Sequence, residues 1–223
     1  MWNLYAILMK KVKEFELTGI DAKKVEQFFL GGYEDYLAAR LLILNDLLLQ
    51  GINLANTSVE KYFKGIKSIT QEQVPRHHDI TVSRFKNTLK NKFRRIHNNI
   101  NYEFLEILSG AYKLRYFDEI EDGFEIHLYK WTFLAELDFL ISSIENSFQI
   151  KKLKYSHEKN NRFLYDTSIE NELLVKENYI ISKTKKEIYL DRKERCTSIF
   201  KRNGNIVQIH WISEETCNNI NVF

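Results

Sequence analysis

The sequence predicts a mainly α protein, an up-down bundle of four to five helices carrying a small C-terminal β or α+β appendage. Three observations predict it. One proline and eight glycines in 223 residues leave few helix breakers. Apolar residues recur at steps of three and four along residues 33 to 148, the spacing that lines one side of a helix. After Ile150 that period gives way to β-branched runs flanking Asn203-Gly204. The expected division is an N-terminal extension over 1–32, a helical bundle over 33–148 and an appendage over 149–223.

Taken in order, residues 1 to 18 fit two patterns. Trp2, Leu4, Ala6 and Leu8 alternate as in a strand, and Trp2, Tyr5, Met9, Val12 and Phe15 fit a helix; the reading leans to a strand pairing with the C-terminal region. Asp21 is positioned to cap a short helix with Val25, Phe28 and Phe29. Gly31-Gly32 then reads as a break before a helix over 33–49, whose wide apolar girth implies burial on several sides. Gln50-Gly51 reads as a short connection to the next helix, over 51–68. That helix has Ile52, Ala55, Val59, Tyr62, Phe63 and Ile66 on one side and Glu60, Lys61, Lys64 and Lys67 on the other. Residues 69–79 hold the one proline and read as a loop. A third helix carries Val82, Phe85, Leu89 and Phe93, and a fourth, from about 101 to 116, carries Phe104, Leu105, Leu108, Ala111 and Tyr112. Beyond the acidic turn at 118–123 a long helix is expected over 124–148, with Phe133, Phe139 and Leu140 off its main stripe. These imply deep burial or a second apolar face for a partner subunit. Residues 151–162 read as a linker. Asn203-Gly204 signals a type I′ hairpin between CTSIFKR and NIVQIHW, with EIYLD (187–191) as a third strand.

Composition limits function. A hydrophobic content of 44% and a charged content of 28% are those of an ordinary soluble protein, and a net charge of +3 does not by itself indicate nucleic-acid binding. Cys196 and Cys217 have no metal-ligand spacing and fit reduced thiols of a cytoplasmic protein. No apolar run reaches the roughly 20 residues that span a bilayer. The familiar phosphate-loop, dinucleotide, serine-hydrolase and zincin motifs do not occur, and no cofactor or metal is expected.

Four stretches together resemble the HEPN (higher eukaryote and prokaryote nucleotide-binding) family over about residues 33–148. YLAARLLILND resembles its first long helix. ANTSVEKYFKGI, with Glu60, Lys61 and Lys64, resembles its second. His78-Asp79-Ile80 resembles the entry to its third, and AYKLRYFDEIE the ending of its fourth, with Phe117 where the family has proline. The resemblance implies a homodimeric helical bundle from toxin–antitoxin, phage-defence or RNA-processing settings, with an antitoxin or nucleotidyltransferase as a possible partner. Some members are metal-independent endoribonucleases with an arginine followed four to six residues later by a histidine; that pairing is missing here.

The candidate residues follow. Lys61, Lys64, His78 and Arg115 can line a groove for a phosphate group, Arg115 with its planar fork, while Tyr116 can stack on a base. The plainer reading is a solvated helix side with an i, i+4 ion pair. Arg84, Lys86, Lys90, Lys92, Arg94 and Arg95 form a run without acidic residues, fit either for a nucleic-acid backbone or as ordinary solvated surface. His97 and His127, with Arg94 or Arg95 nearby in sequence to the former, are the candidates for acid–base catalysis, set against ordinary surface or interface histidines. His77-His78-Asp79 reads as a loop or cap. Two functions result: a non-catalytic nucleotide-, RNA- or partner-binding module, and a ribonuclease with a displaced Arg/His pair.

Overall fold

A computed structural model describes residues 13–16, 20–74, 80–81, 83–116, 118, 120–151 and 161–216. The chain is mainly helical, with a three-stranded antiparallel sheet. Helix α1 (Ile20–Leu44) and helix α2 (Leu48–Ile69) form an antiparallel pair that is the largest packing unit of the fold. Gly31-Gly32 does not interrupt α1. A Cβ on Gly32 would lie 3.1 Å from the Tyr62 ring and one on Gly31 3.3 Å from the Lys61 ammonium, so these glycines admit α2 rather than end a helix.

Gly51 likewise lies inside α2, not in a connection. A Cβ there would meet Ile43 Cγ1 at 2.5 Å and the Ala39 carbonyl oxygen at 3.0 Å. Gly51→Ala is therefore expected to lose about 1–3 kcal/mol, despite the better helix propensity of alanine, as read from a urea midpoint. The true connection is residues 45–47. Asp46 takes a left-handed conformation, φ 66°, while Leu47 N–H donates to Leu42 O and Asp46 N–H to Ile43 O. This is a Schellman ending with aspartate in the place glycine usually fills.

Helix α3 (Ser83–Lys92) and the short α4 (Arg94–Asn99) follow, bent at Phe93. Phe85, Leu89, Phe93 and Ile96 are buried. Helix α5 (Tyr102–Tyr112), capped by the Asn101 side chain accepting from Phe104 N–H, lies against α2 and runs into a 3-10 turn at Lys113–Arg115.

The expected helix over 124–148 is divided. Glu125–Tyr129 is a strand, here β2, and only Lys130–Glu145 is helical, α6. Ile126 and Leu128 alternate with exposed Glu125 and His127, which suits a sheet with one face on the core. Strand β4 (Lys193–Arg202) pairs with β2 and with β5 (Asn205–Thr216), all antiparallel. Asn203 and Gly204, at φ 51° and 74°, make the expected turn. Residues 187–191 are not the third strand; Lys186–Leu190 is a helix, and β2 from the middle of the chain takes that place. Of the N-terminal segment, Lys13–Glu16 forms strand β1, which pairs in parallel with β3 (Phe148–Lys151); Trp2, Leu4, Ala6 and Leu8, whose alternation suggested a strand, lie outside the described residues.

Short helices α7 (Arg162–Ser168), α8 (Glu172–Val175), α9 (Tyr179–Ser182) and α10 (Lys186–Leu190) close over α1 and α6. Phe133 and Leu140 are buried in the main core, and Phe139 packs with Trp131, Tyr179, Tyr189 and Ala135 while staying partly exposed. Three tyrosines of the α1–α2 pair each donate to a carboxylate beyond it: Tyr33 to Asp166 at 2.8 Å, Tyr36 to Asp138 at 2.7 Å and Tyr62 to Glu145 at 2.7 Å. No helix among the described residues is long and apolar enough to cross a membrane.

Candidate functional site: a basic face on helices α3 and α4

The polar side of α2 is not an open face. Asn53, Asn56, Glu60, Lys64 and Lys67 recur at steps of three and four, and Asn56, Glu60 and Lys67 are buried. Lys64 pairs with Glu60, Lys67 with Glu72 at 3.0 Å, and Lys61 turns toward α1 to meet Asp35 at 2.7 Å. Helix α5 lies close by. Burial raises the pKa of the Tyr112 hydroxyl, Arg115 lowers it and the charge of Glu60 raises it, so the three are electrostatic neighbours. The α2 lysines thus serve internal carboxylates.

Arg115 and Tyr116 are exposed. The Arg115 guanidinium stands 4.8 Å from the Tyr112 ring centre and donates to its hydroxyl. Beside them a cleft of about 840 Å³ opens between Tyr112, Tyr116 and the turn at 120–124. Lys113, Glu121 and Asp122 all line it, and Asp122 accepts from Gly204 N–H at 3.0 Å. Such mixed charge does not favour an anion. His77, His78 and Asp79 lie outside the described residues, as does Cys217; Cys196 is a buried thiol. Among the described residues no group of three or more His, Cys, Asp or Glu is placed to hold a metal ion.

His127 belongs to the sheet. It stands opposite Ser198 in register, with Nδ1 2.8 Å from Ser198 Oγ and Nε2 3.5 Å from Glu125. The order Glu–His–Ser has the form of an acid–base relay. Yet Ser198 Oγ already accepts from Trp211 Nε1–H at 3.0 Å, and the imidazole and Glu125 lie on an open face that does not exclude water. The arrangement acts as a cross-strand polar pair.

The basic run is where exposed charge collects. Lys86, Lys90, Lys92, Arg94 and Arg95 are exposed while the intervening apolar residues point inward; the side chain of Arg84 lies outside the described ones. Lys92 is tied to Glu72 at 3.2 Å. Burial would raise the Glu72 carboxyl, but hydrogen bonds from Thr88, Lys67 and Lys92 overcome it and hold the pKa at about 2. Among the described residues none of Lys86, Lys90, Arg94 and Arg95 is paired with a carboxylate. The Lys86 ammonium rests 4.5 Å from the Tyr102 ring centre, and the hydroxyl of the same tyrosine bonds His97 Nδ1. Arg94 and His97, three apart in α4, share a helix side.

Sequence reasoning missed the buried pair Arg40–Asp138 and the cluster in which Asp46 joins Lys130 and Arg195. The signal for the first was present: single charges inside otherwise apolar stretches, Ala39-Arg40-Leu41 and Leu137-Asp138-Phe139. Comparison of the chain with family models, with curated proteins and with solved structures finds no match in any of the three.

Proposed function

We propose that this protein is a non-catalytic RNA-binding module that engages the phosphate backbone through the exposed side of α3 and α4. The observation that carries the reading is the set Lys86, Lys90, Arg94 and Arg95, four exposed cations without carboxylate partners among the described residues, on helices whose apolar sides are buried. Charges so placed contact phosphates irrespective of base sequence. Tyr102 adds an aromatic surface at the same end, and Arg115 with Tyr116 supplies a second cation–aromatic pair. The HEPN resemblance supports the same class of ligand and a toxin–antitoxin or defence setting.

The side shared by Arg94 and His97, with Tyr102 fixing the ring, favours one second reading: metal-independent RNA cleavage. Incubating the full chain with labelled structured RNA, with and without chelator, separates the two. Binding without cleavage is expected. Lys90→Ala/Arg94→Ala/Arg95→Ala is expected to weaken it roughly ten- to hundred-fold, whereas Lys61→Ala, which breaks an internal pair, leaves it within about two-fold. Chelator-resistant cleavage abolished by His97→Ala would establish the second reading, and failure to bind RNA would overturn both.

A further inference from the structure

Phosphate contacts hold an RNA without reading it, so the surface beside the basic face decides whether one sequence is preferred. On α3 the cations Lys86 and Lys90 stand four residues apart, and Asn87 and Asn91 form a second row of the same spacing next to them. All four side chains are exposed. A cavity of about 380 Å³ opens beside the asparagines. It is lined by Asn87, Thr88, Asn91 and Lys92 of α3, by Lys67 near the end of α2, and by Glu72 and Gln73 beyond it. That volume falls within the roughly 300–1,000 Å³ of small-ligand sites.

The charges of this cavity are satisfied among themselves. Glu72 accepts from Thr88 at 2.6 Å and from Lys67 at 3.0 Å, and its other oxygen pairs with Lys92 at 3.2 Å. Left over are three amides: the side chains of Gln73, Asn87 and Asn91 have no hydrogen-bond partner among the described residues. An amide offers an N–H donor beside a C=O acceptor, so it matches a base edge that has an acceptor beside an N–H. Adenine carries that pattern on two edges, N6–H with N7 and N6–H with N1, whereas guanine, cytosine and uracil carry it on one. Amides supplied by two elements, α3 and the segment after α2, suit a base with two such edges.

Resting on the RNA-binding reading above, we propose that this cavity takes one unpaired adenine of the bound RNA, with Asn87 and Asn91 reading one edge and Gln73 the other. The phosphates beside that base lie on Lys86 and Lys90, the neighbouring row of the same helix. A base in a duplex has its Watson–Crick edge occupied, so the site selects adenines of loops, bulges and ends, where bases can be splayed out. The cations supply affinity and the amides supply selection.

Fluorescence anisotropy on the full chain tests this, with labelled hairpin RNAs of one stem whose loops are all uridine or carry a single adenine, guanine or cytosine. The adenine loop is expected to bind about ten-fold more tightly than the other three. Asn87→Ala/Asn91→Ala should remove that preference while leaving affinity for the uridine loop, and its salt dependence, within about two-fold. Alanine at these exposed helix positions favours the helix, so the fold is retained. Gln73→Ala alone should reduce the preference in part. Four loops bound alike, with binding still weakened by Lys90→Ala/Arg94→Ala/Arg95→Ala, would overturn this inference and leave the backbone reading standing. So would an adenine preference that survives Asn87→Ala/Asn91→Ala. Failure of every hairpin to bind would overturn the backbone reading, and this inference with it.

Discussion

Arg40→Met is expected to destabilise the protein by about 3–5 kcal/mol, because it leaves a carboxylate enclosed without its cation. Arg40 and Asp138 are both fully buried, on α1 and α6, and form an ion pair. Burial pushes the Asp138 carboxyl up, and Arg40 followed by the Tyr36 hydroxyl works against that rise. The same guanidinium donates to Leu173 O at 3.1 Å and to Lys176 O, so it holds the closing segment as well as the bundle. Urea melts of Arg40→Met, Asp138→Asn and the double variant form a cycle. The double variant removes the stranded charge while keeping an acceptor for Tyr36, so it should recover more than half of the loss. A single-variant loss below about 1 kcal/mol would mean that water reaches the pair.

Glu145→Gln is expected to act in the opposite direction, stabilising the protein by about 1–2 kcal/mol at pH 8, the gain from removing a buried charge less the loss of one acceptor for α7. Glu145 ends α6 and is buried. Burial raises its pKa from 4.5 to about 7, even though the Tyr62 hydroxyl and the N–H groups that open α7 favour the carboxylate. The folded carboxyl keeps its proton up to about pH 7, where the unfolded one has lost it from about pH 4.5 upward. The folded state therefore binds more protons between these values, and stability falls as pH rises through that window. Glutamine stays neutral and keeps one acceptor, for Tyr62, while its NH2 replaces the oxygen that accepted from Arg162 N–H, so the variant's stability should be nearly flat from pH 5 to pH 8. Wild-type and variant stabilities should cross between pH 4.5 and about 7, with the wild type the more stable below the crossing. Parallel pH profiles would show that Glu145 is ionised at all these values.

How much of this was legible follows from what a linear pattern encodes. The apolar stripe of α2, from Ile52 to Ile66, and the Asn203-Gly204 hairpin are local signals, and both appear as expected. Gly31-Gly32 and Gly51 carry the pattern of breaks but lie inside helices, because the same residue that frees a backbone also admits a neighbouring helix, and only the second helix decides which use applies. Residues 125–129 satisfy both periods over so short a run; β4, some seventy residues later, settles it as strand. The lysines of α2 looked like a surface because charge in a helix is read as solvent-facing. Their carboxylate partners Asp35 and Glu72 come from the preceding helix and the following loop, and no periodicity predicts them. The α3–α4 cations were legible because nothing acidic interrupts them and Phe85, Leu89 and Phe93 set the buried side.

The most direct test of the RNA-binding account is the salt dependence of affinity for a structured RNA, compared between the wild-type chain and Lys86→Ala/Lys90→Ala/Arg94→Ala/Arg95→Ala. Four backbone contacts predict a slope of log K against log salt of about −3, falling to near zero in the variant. Equal slopes for the two proteins, or a wild-type affinity that salt does not change, would contradict it.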